Sequence, residues 1–372
     1  MANVYLDNAA TTAPIKNVLE KAVKEYEEVF YNPSALYSGG RLAGKEVSTA
    51  RERLESLFYG KKVVFTSCGT EADNTAIFSF AKRGNVVTTM GEHSAVYKCF
   101  ELLKQKGVDV RYAKLNYGGG VDEADLLSKV DENTSFVSVV HVNNETGAIN
   151  DVNALAEKVK AINPKTVFHS DGVQAFGKIK CDLDNVDLYS TSAHKIGALK
   201  GTGCLYYNEK LHIQPYIIGG GQESGLRSGT ENVLGIKVFA DCAGYCYENI
   251  DKNYEKAVAL KKTFTGGLDK SLFKIISGDN ASPYVISFSA VGLRGQVVQS
   301  IMDDEGVIIG TGSACSSKSP HSRILSAFEK DKKVLDGALR VSFSPFTTFE
   351  EVEICVKTLN NRVSELSKKI NI

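Results

Sequence analysis

At 372 residues, with 43% hydrophobic and 24% charged residues, the chain has the composition of a soluble globular protein long enough for two domains. Lys and Arg (44) balance Asp and Glu (44), so no net field favours nucleic acid or an anionic membrane as a partner. No apolar run approaches the roughly 18 residues of a membrane span. The N-terminus also lacks a basic region followed by an apolar core, so a cytoplasmic protein is expected.

The first dozen residues, ending in Asp7-Asn8-Ala9-Ala10-Thr11-Thr12, read as an extended polar arm. Pro14 opens a helix with Ile15, Val18, Leu19, Ala22, Val23 and Tyr26 on one face. A loop follows at Phe30-Tyr31-Asn32-Pro33-Ser34, because Pro33 pushes Asn32 out of the helical region. A second helix is expected from about Leu42 to Phe58. Gly39-x-x-x-x-Gly44-Lys45 begins like a phosphate-binding P-loop, but Glu46 stands where a Ser or Thr should touch magnesium and no strand precedes it. It is rejected as a nucleotide site.

From residue 62 short apolar runs alternate with helical stretches. The runs are Val63-Phe65, Val86-Val87, Val108-Val110, Phe136-Val142, Val167-Phe168, Val186-Tyr189 and Cys204-Tyr207. Helical periodicity lies near 70–83, 94–106 and 151–162. This pattern predicts an α/β fold with a mostly parallel sheet covered by helices, whose ligands bind beyond the carboxyl ends of the strands. After about residue 231 the pattern changes to two long helices, near 231–249 and 252–269. A smaller α+β region follows, with strands at Tyr284-Ser289, Val307-Ile309 and Leu339-Phe343 and helices near 294–305 and 347–369. The expected division is an arm over 1–14 associated with the small domain, a large domain over 15–250 and a small domain over 251–372.

Several strand ends carry chemistry. Ser190-Thr191-Ser192-Ala193-His194-Lys195 closes one with a lysine that, if partly buried, can form a Schiff base, though a solvated turn lysine fits the same six residues. Thr66-Ser67-Cys68-Gly69-Thr70-Glu71 opens a helix with small residues whose N–H groups suit an anion, although Thr70 and Asp73 also have capping-box spacing. Asp171, just past an apolar strand, could pair with a protonated ring nitrogen or simply cap a helix. Asn143 and Asn144 end another strand as hydrogen-bonding amides or as a turn. Gly219-Gly220-Gly221 and Arg227-Ser228-Gly229-Thr230 form a long polar, glycine-rich loop. Together these are the parts needed to hold pyridoxal 5'-phosphate through a lysine. The eight cysteines show no C-x-x-C pair and the six histidines no ligand spacing, so reduced thiols and no metal site are expected.

Asp7-Asn8-Ala9-Ala10-Thr11-Thr12, Thr70-Glu71-x-Asp73-Asn74, His141-Val142-Asn143-Asn144-Glu145-x-Gly147, Ser192-x-His194-Lys195, Arg227-x-Gly229-Thr230-x-Asn232 and Gly312-Ser313-Ala314-Cys315 stand in the order seen in cysteine desulfurases of the NifS/IscS type. The chain resembles that family from residue 5 to about 350. The resemblance implies a fold-type I pyridoxal phosphate-dependent transferase with a large domain and a smaller α+β domain. It implies a homodimer that converts L-cysteine to L-alanine and leaves the sulfur as an enzyme persulfide. By the same motifs Lys195 would be the Schiff-base lysine, Asp171 the partner of the pyridine nitrogen, and His93 the ring-stacking residue that assists proton transfer. Gly69, Thr70, Ser192 and His194 would hold the phosphate, with Thr230 reaching in from the partner subunit. Asn144 and Gln174 would bond the ring oxygen. Arg340, assisted by Asn32 and Asn144, would bind the substrate carboxylate. Ala13, Gly69 and Leu199 depart from the family's usual proline, alanine and proline without removing a chemical group.

Cys315 sits in Gly310-Thr311-Gly312-Ser313-Ala314-Cys315-Ser316-Ser317-Lys318-Ser319, too poor in apolar residues to pack as a core element. A thiol on such a loop suits a sulfur carrier, and Lys318 and His321 could favour its thiolate. The other cysteines lie mostly in apolar patterns and should be small buried hydrophobes. The resemblance further implies a sulfur-acceptor protein, an iron–sulfur scaffold or a tRNA-thiolation enzyme, with no direct nucleic-acid or membrane binding. A selenocysteine lyase or aminotransferase of the same fold, or a catalytically degenerate partner in a sulfur-transfer complex, are the alternatives.

Overall fold

The computed structural model describes residues 4–58, 60–312 and 321–369, so Cys315 and Lys318 lie outside the described residues. The chain opens with β1 (Val4–Tyr5) and two helices, α1 (Lys16–Val29) and α2 (Ser38–Glu55). Seven strands follow: β2 (Lys61–Thr66), β3 (Asn85–Thr89), β4 (Asp109–Ala113), β5 (Thr134–Ser138), β6 (Val167–Asp171), β7 (Leu188–Ser192) and β8 (Gly203–Asn208). Between them run α3 (Gly69–Phe80), α4 (Ser94–Gln105), α5 (Glu123–Leu127) and α6 (Val152–Ile162). The strands form one sheet in the order β2-β8-β7-β6-β5-β3-β4, with β8 alone running against the others.

This sheet is buried on both faces, which is why its strands read as continuous apolar runs. Val63 and Phe65 of β2 point into a core shared with Val47 and Leu54 of α2, while Val64 between them joins Ala72 and Ile77 of α3 on the other side. The same division holds in β7, where Leu188 and Tyr189 enter opposite cores. Every residue of β7 is buried. Its serines and threonine are interior groups.

Helices α7 (Val233–Glu248) and α8 (Ile250–Gly267) then lead to β9 (Phe273–Ile275), β10 (Val285–Ala290), α9 (Gly295–Asp304), β11 (Val307–Ile308) and β12 (Gly310–Thr311). The chain ends with α10 (Arg323–Phe328), α11 (Lys332–Asp336), β13 (Ala338–Ser342) and α12 (Phe349–Lys369). A second sheet has the antiparallel order β12-β13-β10-β9. Phe264, Phe288, Val352, Cys355 and Leu359 pack in its core.

The polar arm ties the two sheets together. Val4 and Tyr5 pair in parallel with Val307 and Ile308 of β11. Asn8 Nδ2 then donates to the Ser342 carbonyl at 2.9 Å, and the Ala9 N–H to Ser342 Oγ at 2.8 Å. Thr12 Oγ1 reaches the other body, donating to the His194 carbonyl at 2.9 Å and accepting from the Gly197 N–H at 2.7 Å.

Two local expectations change. Helix α2 starts four residues earlier than its periodicity suggests, because Gly39 and Gly40 are buried in its first turn, where a Cβ on Gly40 would lie 2.2 Å from the Ala35 carbonyl oxygen. The P-loop-like glycines are therefore helical packing positions. The Thr70–Asp73 capping box does not form either. Cys68 occupies the N-cap of α3, and the Asp73 side chain turns inward to the sheet.

Candidate active site

The carboxyl ends of β2, β3, β5, β6 and β7 converge on a cavity of about 340 Å³. It is lined by Lys195, His194 and Ser192 after β7, Asp171, Val173 and Gln174 after β6, and Val140, Val142 and Asn144 after β5. His93, Cys68, Gly69, Thr70 and Asp73 come from the ends of α4 and α3. Asp7, Ala9 and Ala10 of the arm and Arg340 of β13 close it from the second sheet. Ten of the predicted residues (Gly69, Thr70, His93, Asn144, Asp171, Gln174, Ser192, His194, Lys195 and Arg340) thus share one space.

Lys195 closes a single turn of 3-10 helix, Ala193–Lys195, directly after β7. Its Nζ donates to the carbonyls of Ala9 at 2.7 Å and Ala10 at 2.8 Å. His194 beside it shares a hydrogen bond with Thr11 Oγ1 at 3.0 Å, and burial lowers its pKa to about 4, so its ring is neutral.

Asp171 caps the turn after β6, its carboxylate accepting from the Val173 N–H at 3.0 Å. Burial raises its pKa, against the pull of His93 and Lys195. His93 is the N-cap of α4, with Nδ1 accepting from the Ala95 N–H at 3.2 Å, and burial lowers its pKa. Behind Asp171 lies a polar layer that no motif announced. His169 bridges Ser138 Oγ and Ser190 Oγ, both at 2.9 Å, and stands 3.6 Å from Asp73 Oδ1. Burial holds His169 down to about 3 and pushes Asp73 well above the carboxylate range.

The two asparagines at the end of β5 divide their labour. Asn143 makes the turn, its Oδ1 accepting from the N–H groups of Glu145 and Thr146 at 2.9 Å each. Gly147 completes that turn at φ 76°, where a Cβ would lie 2.5 Å from the Val285 carbonyl oxygen. Asn144 is thereby turned into the cavity, and its Oδ1 is buried without a hydrogen-bond partner. Arg340 donates from Nη1 to the Asn144 carbonyl at 2.9 Å and from Nη2 to Asp7 at 2.6 Å, while its buried Nε is unpartnered. The departure at Gly69 also has a physical reason, since a Cβ there would lie 2.8 Å from Val173 Cγ2.

Two predicted residues do not line this cavity. Thr230 is exposed beside Ser67, Arg227 and Asn232, in a separate groove of about 140 Å³. Asn32 is exposed, its Oδ1 accepting from the Ser34 N–H at 2.9 Å. His321 is engaged with Asp336 at 2.7 Å.

Open donors and acceptors in a strand-end cavity fit pyridoxal phosphate. Arg340 Nε and Asn144 Oδ1 await polar partners. Asp171 is a buried acid facing the site, and α3 presents its N-terminus at Gly69 and Thr70. No group of three or more His, Cys, Asp or Glu that could hold a metal occurs among the described residues.

Such a strand-end lysine and acid, on a mostly parallel sheet joined to a smaller antiparallel one, define a fold-type I pyridoxal phosphate enzyme. The aminotransferase class-V family model matches residues 4–355, and the chain belongs to that family. It is 34% identical to the cysteine desulfurase IscS of Dictyoglomus turgidum, over 98% of this chain and 95% of that one. It is 32% identical to a putative cysteine desulfurase IscS 1 of Bacillus subtilis, over 99% and 100%. A solved NifS-like protein superposes with a TM-score of 0.90 at 33% identity, covering 97% of this chain and 99% of its own. Within class V the chain is a pyridoxal phosphate-dependent enzyme of the cysteine desulfurase type.

Proposed function

We propose that this cavity releases the sulfur of L-cysteine and hands it to Cys315, with the residues that converge there in the roles their positions suit. The observation that carries the reading is the placement of Lys195, Asp171, His93 and Arg340 around one cavity, with the Arg340 Nε still open to an anion. Pyridoxal phosphate, held through Lys195, supplies the electron sink that weakens bonds at the substrate's Cα and Cβ. Gly69, Thr70, Ser192 and neutral His194 hold its phosphate by hydrogen bonds at the α3 N-terminus. Asp171 faces its ring nitrogen, and a cation there returns the buried acid to its carboxylate form. His93 packs on the ring face, and Asn144 and Gln174 bond the ring oxygen.

Arg340 takes the substrate carboxylate through Nε and its remaining Nη hydrogens, a charge-assisted fork. Lys195 Nζ accepts the α-proton and returns it to the product carbon. The Cys315 thiolate attacks the substrate sulfur. The new S–S bond forms as the Cβ–S bond breaks, leaving a persulfide on Cys315 and alanine after protonation. Gly312 and Ser322 flank the segment that carries Cys315, and the Ser322 hydroxyl donates to Glu145, next in sequence to Asn144.

A homodimer, with Thr230 serving the cavity of a second copy, is supported by the exposure of Thr230 in a groove apart from its own chain's cavity. Asn32, also exposed, is the proposed assistant of Arg340 at the substrate carboxylate. The protein is proposed to act in the cytoplasm, and no helix among the described residues is long and apolar enough to cross a membrane. An iron–sulfur scaffold or a tRNA-thiolation enzyme receives the sulfur. Cys315→Ser tests the carrier role. The variant should keep the cofactor's visible colour and lose sulfide and alanine production by at least about 100-fold. Full turnover by it would overturn the assignment.

A further inference from the structure

Lys178 is buried, at 7% exposure, and has no part in the chemistry above. Its Nζ donates to Gln174 Oε1 at 2.8 Å, and Gln174 Nε2 donates to the Ala9 carbonyl at 2.8 Å. The two ends of a glutamine amide are nearly identical in shape, so only its partners decide which way it is turned. Here they leave no choice: an amine on one side offers donors and a carbonyl on the other only accepts. Gln174 must then keep Oε1 toward Lys178 and Nε2 toward Ala9. One Nε2 hydrogen remains for the cavity that Gln174 lines.

Without Lys178 the Oε1 would lose its donor, only the Ala9 carbonyl would oppose a flipped amide, and a larger share of the protein would turn the amide oxygen toward the ring. A carbonyl there would oppose a negatively charged ring oxygen, whereas an N–H stabilises it. We propose that Lys178 is a positioning residue that holds the Gln174 amide with its N–H toward the cofactor's ring oxygen. This rests on the role given to Gln174 above.

Burying an amine is costly, which argues for a use beyond packing. Burial, followed by repulsion from Lys195, lowers the Lys178 pKa to about 7. The neutral amine still has N–H groups, so the orientation survives either protonation state.

The test uses the holoenzyme and reads the pH midpoint at which the bound cofactor's visible band titrates. Gln174→Ala removes the donor, and the midpoint should rise by roughly one pH unit, a tenfold change that matches one hydrogen bond to a charged oxygen. Lys178→Met, nearly the same shape without the amine, should reproduce more than half of that rise, and Lys178→Arg, which keeps a donor, should restore most of it. The double variant Gln174→Ala/Lys178→Met should titrate like Gln174→Ala alone, because no amide remains to be positioned. Lys178→Leu serves if the Met protein does not fold. A parental midpoint in Lys178→Met beside a shifted one in Gln174→Ala overturns the proposal alone. A parental midpoint in Gln174→Ala overturns it together with the assignment of Gln174. Additive shifts in the double variant also overturn it.

Discussion

The two walls of the cavity are built by different means. The wall on the larger sheet is made of side chains set at the carboxyl ends of parallel strands, backed by the buried layer of His169, Ser138, Ser190 and Asp73. The opposite wall, made of the arm and β13, works largely through backbone. Its Ala9 and Ala10 carbonyls hold Lys195 and that of Ala9 also holds Gln174, while its Arg340 is held in turn by the Asn144 carbonyl of the first wall. The first wall supplies most of the functional groups, and the carbonyls of each wall aim the groups of the other. A desulfurase of this kind needs both, because a lysine or arginine with free rotation would lose the geometry the reaction depends on.

The largest effect should come from the first wall. Lys195→Ala removes both the covalent anchor and the amine that moves the α-proton. Alanine production should fall by at least about 1,000-fold, while the cofactor still binds non-covalently and is lost on gel filtration. A Lys195→Ala protein with measurable steady turnover would show that the cavity works through another amine, and would break the contrast drawn here.

The walls also differed in how far they could be read in advance. Lys195 and Asp171 carry their signal in side-chain type at strand ends, whereas His93 and Arg340 are expected only from the family motifs, and the cavity brings all four together. The arm was visible as a motif, yet its contribution is made by carbonyls of two alanines, and a carbonyl has no residue-type signature. His169 escaped for a different reason. In an apolar run a histidine gives no sign of whether its ring meets solvent or two buried hydroxyls. The helical elements were legible from periodicity, whereas the short pieces α5, β9, β12, α10 and α11, of two to six residues, are too brief to show a period. The start of α2 is expected four residues too late, because nothing local tells that a glycine is needed beside Ala35.

Asp7 lets the second wall be loosened without touching the first. It pairs with Arg340 at 2.6 Å, with side-chain exposures of 18% and 8%. Asp7→Ala leaves a buried guanidinium short of its anion, a change of about 3 kcal/mol at the low end for buried pairs. Because Arg340 is then no longer held, the KM for cysteine should rise by about tenfold with a smaller change in kcat. Urea unfolding and steady-state kinetics on the same variant separate the two effects. A stability loss with an unchanged KM would mean that Arg340 is held well enough by the Asn144 carbonyl alone.

The smallest effect, and the sharpest test of the buried layer, is a dependence on pH. His169 and His141 are held down to about 3 and about 4, so the native state keeps them neutral while the unfolded chain takes up protons below about 6.5. Stability from this source is complete above pH 6.5 and declines as the pH falls toward 4, by about 1.4 kcal/mol per pH unit for each histidine. Glu92 and Glu145 act with the opposite sign. Burial raises them to about 8 and about 7, so the native state keeps their protons while the unfolded chain releases them, and stability declines as the pH rises from about 4.5. Between pH 4.5 and 6.5 the two pairs offset one another, and the parent protein should show little slope in urea unfolding. Single variants expose the hidden terms. His169→Gln should cost about 2 kcal/mol less at pH 5 than at pH 7, whereas Glu92→Gln should be better tolerated at pH 7 than at pH 5. Parallel pH profiles for the two variants would mean that His169 is not held neutral and Glu92 not held protonated in the native state.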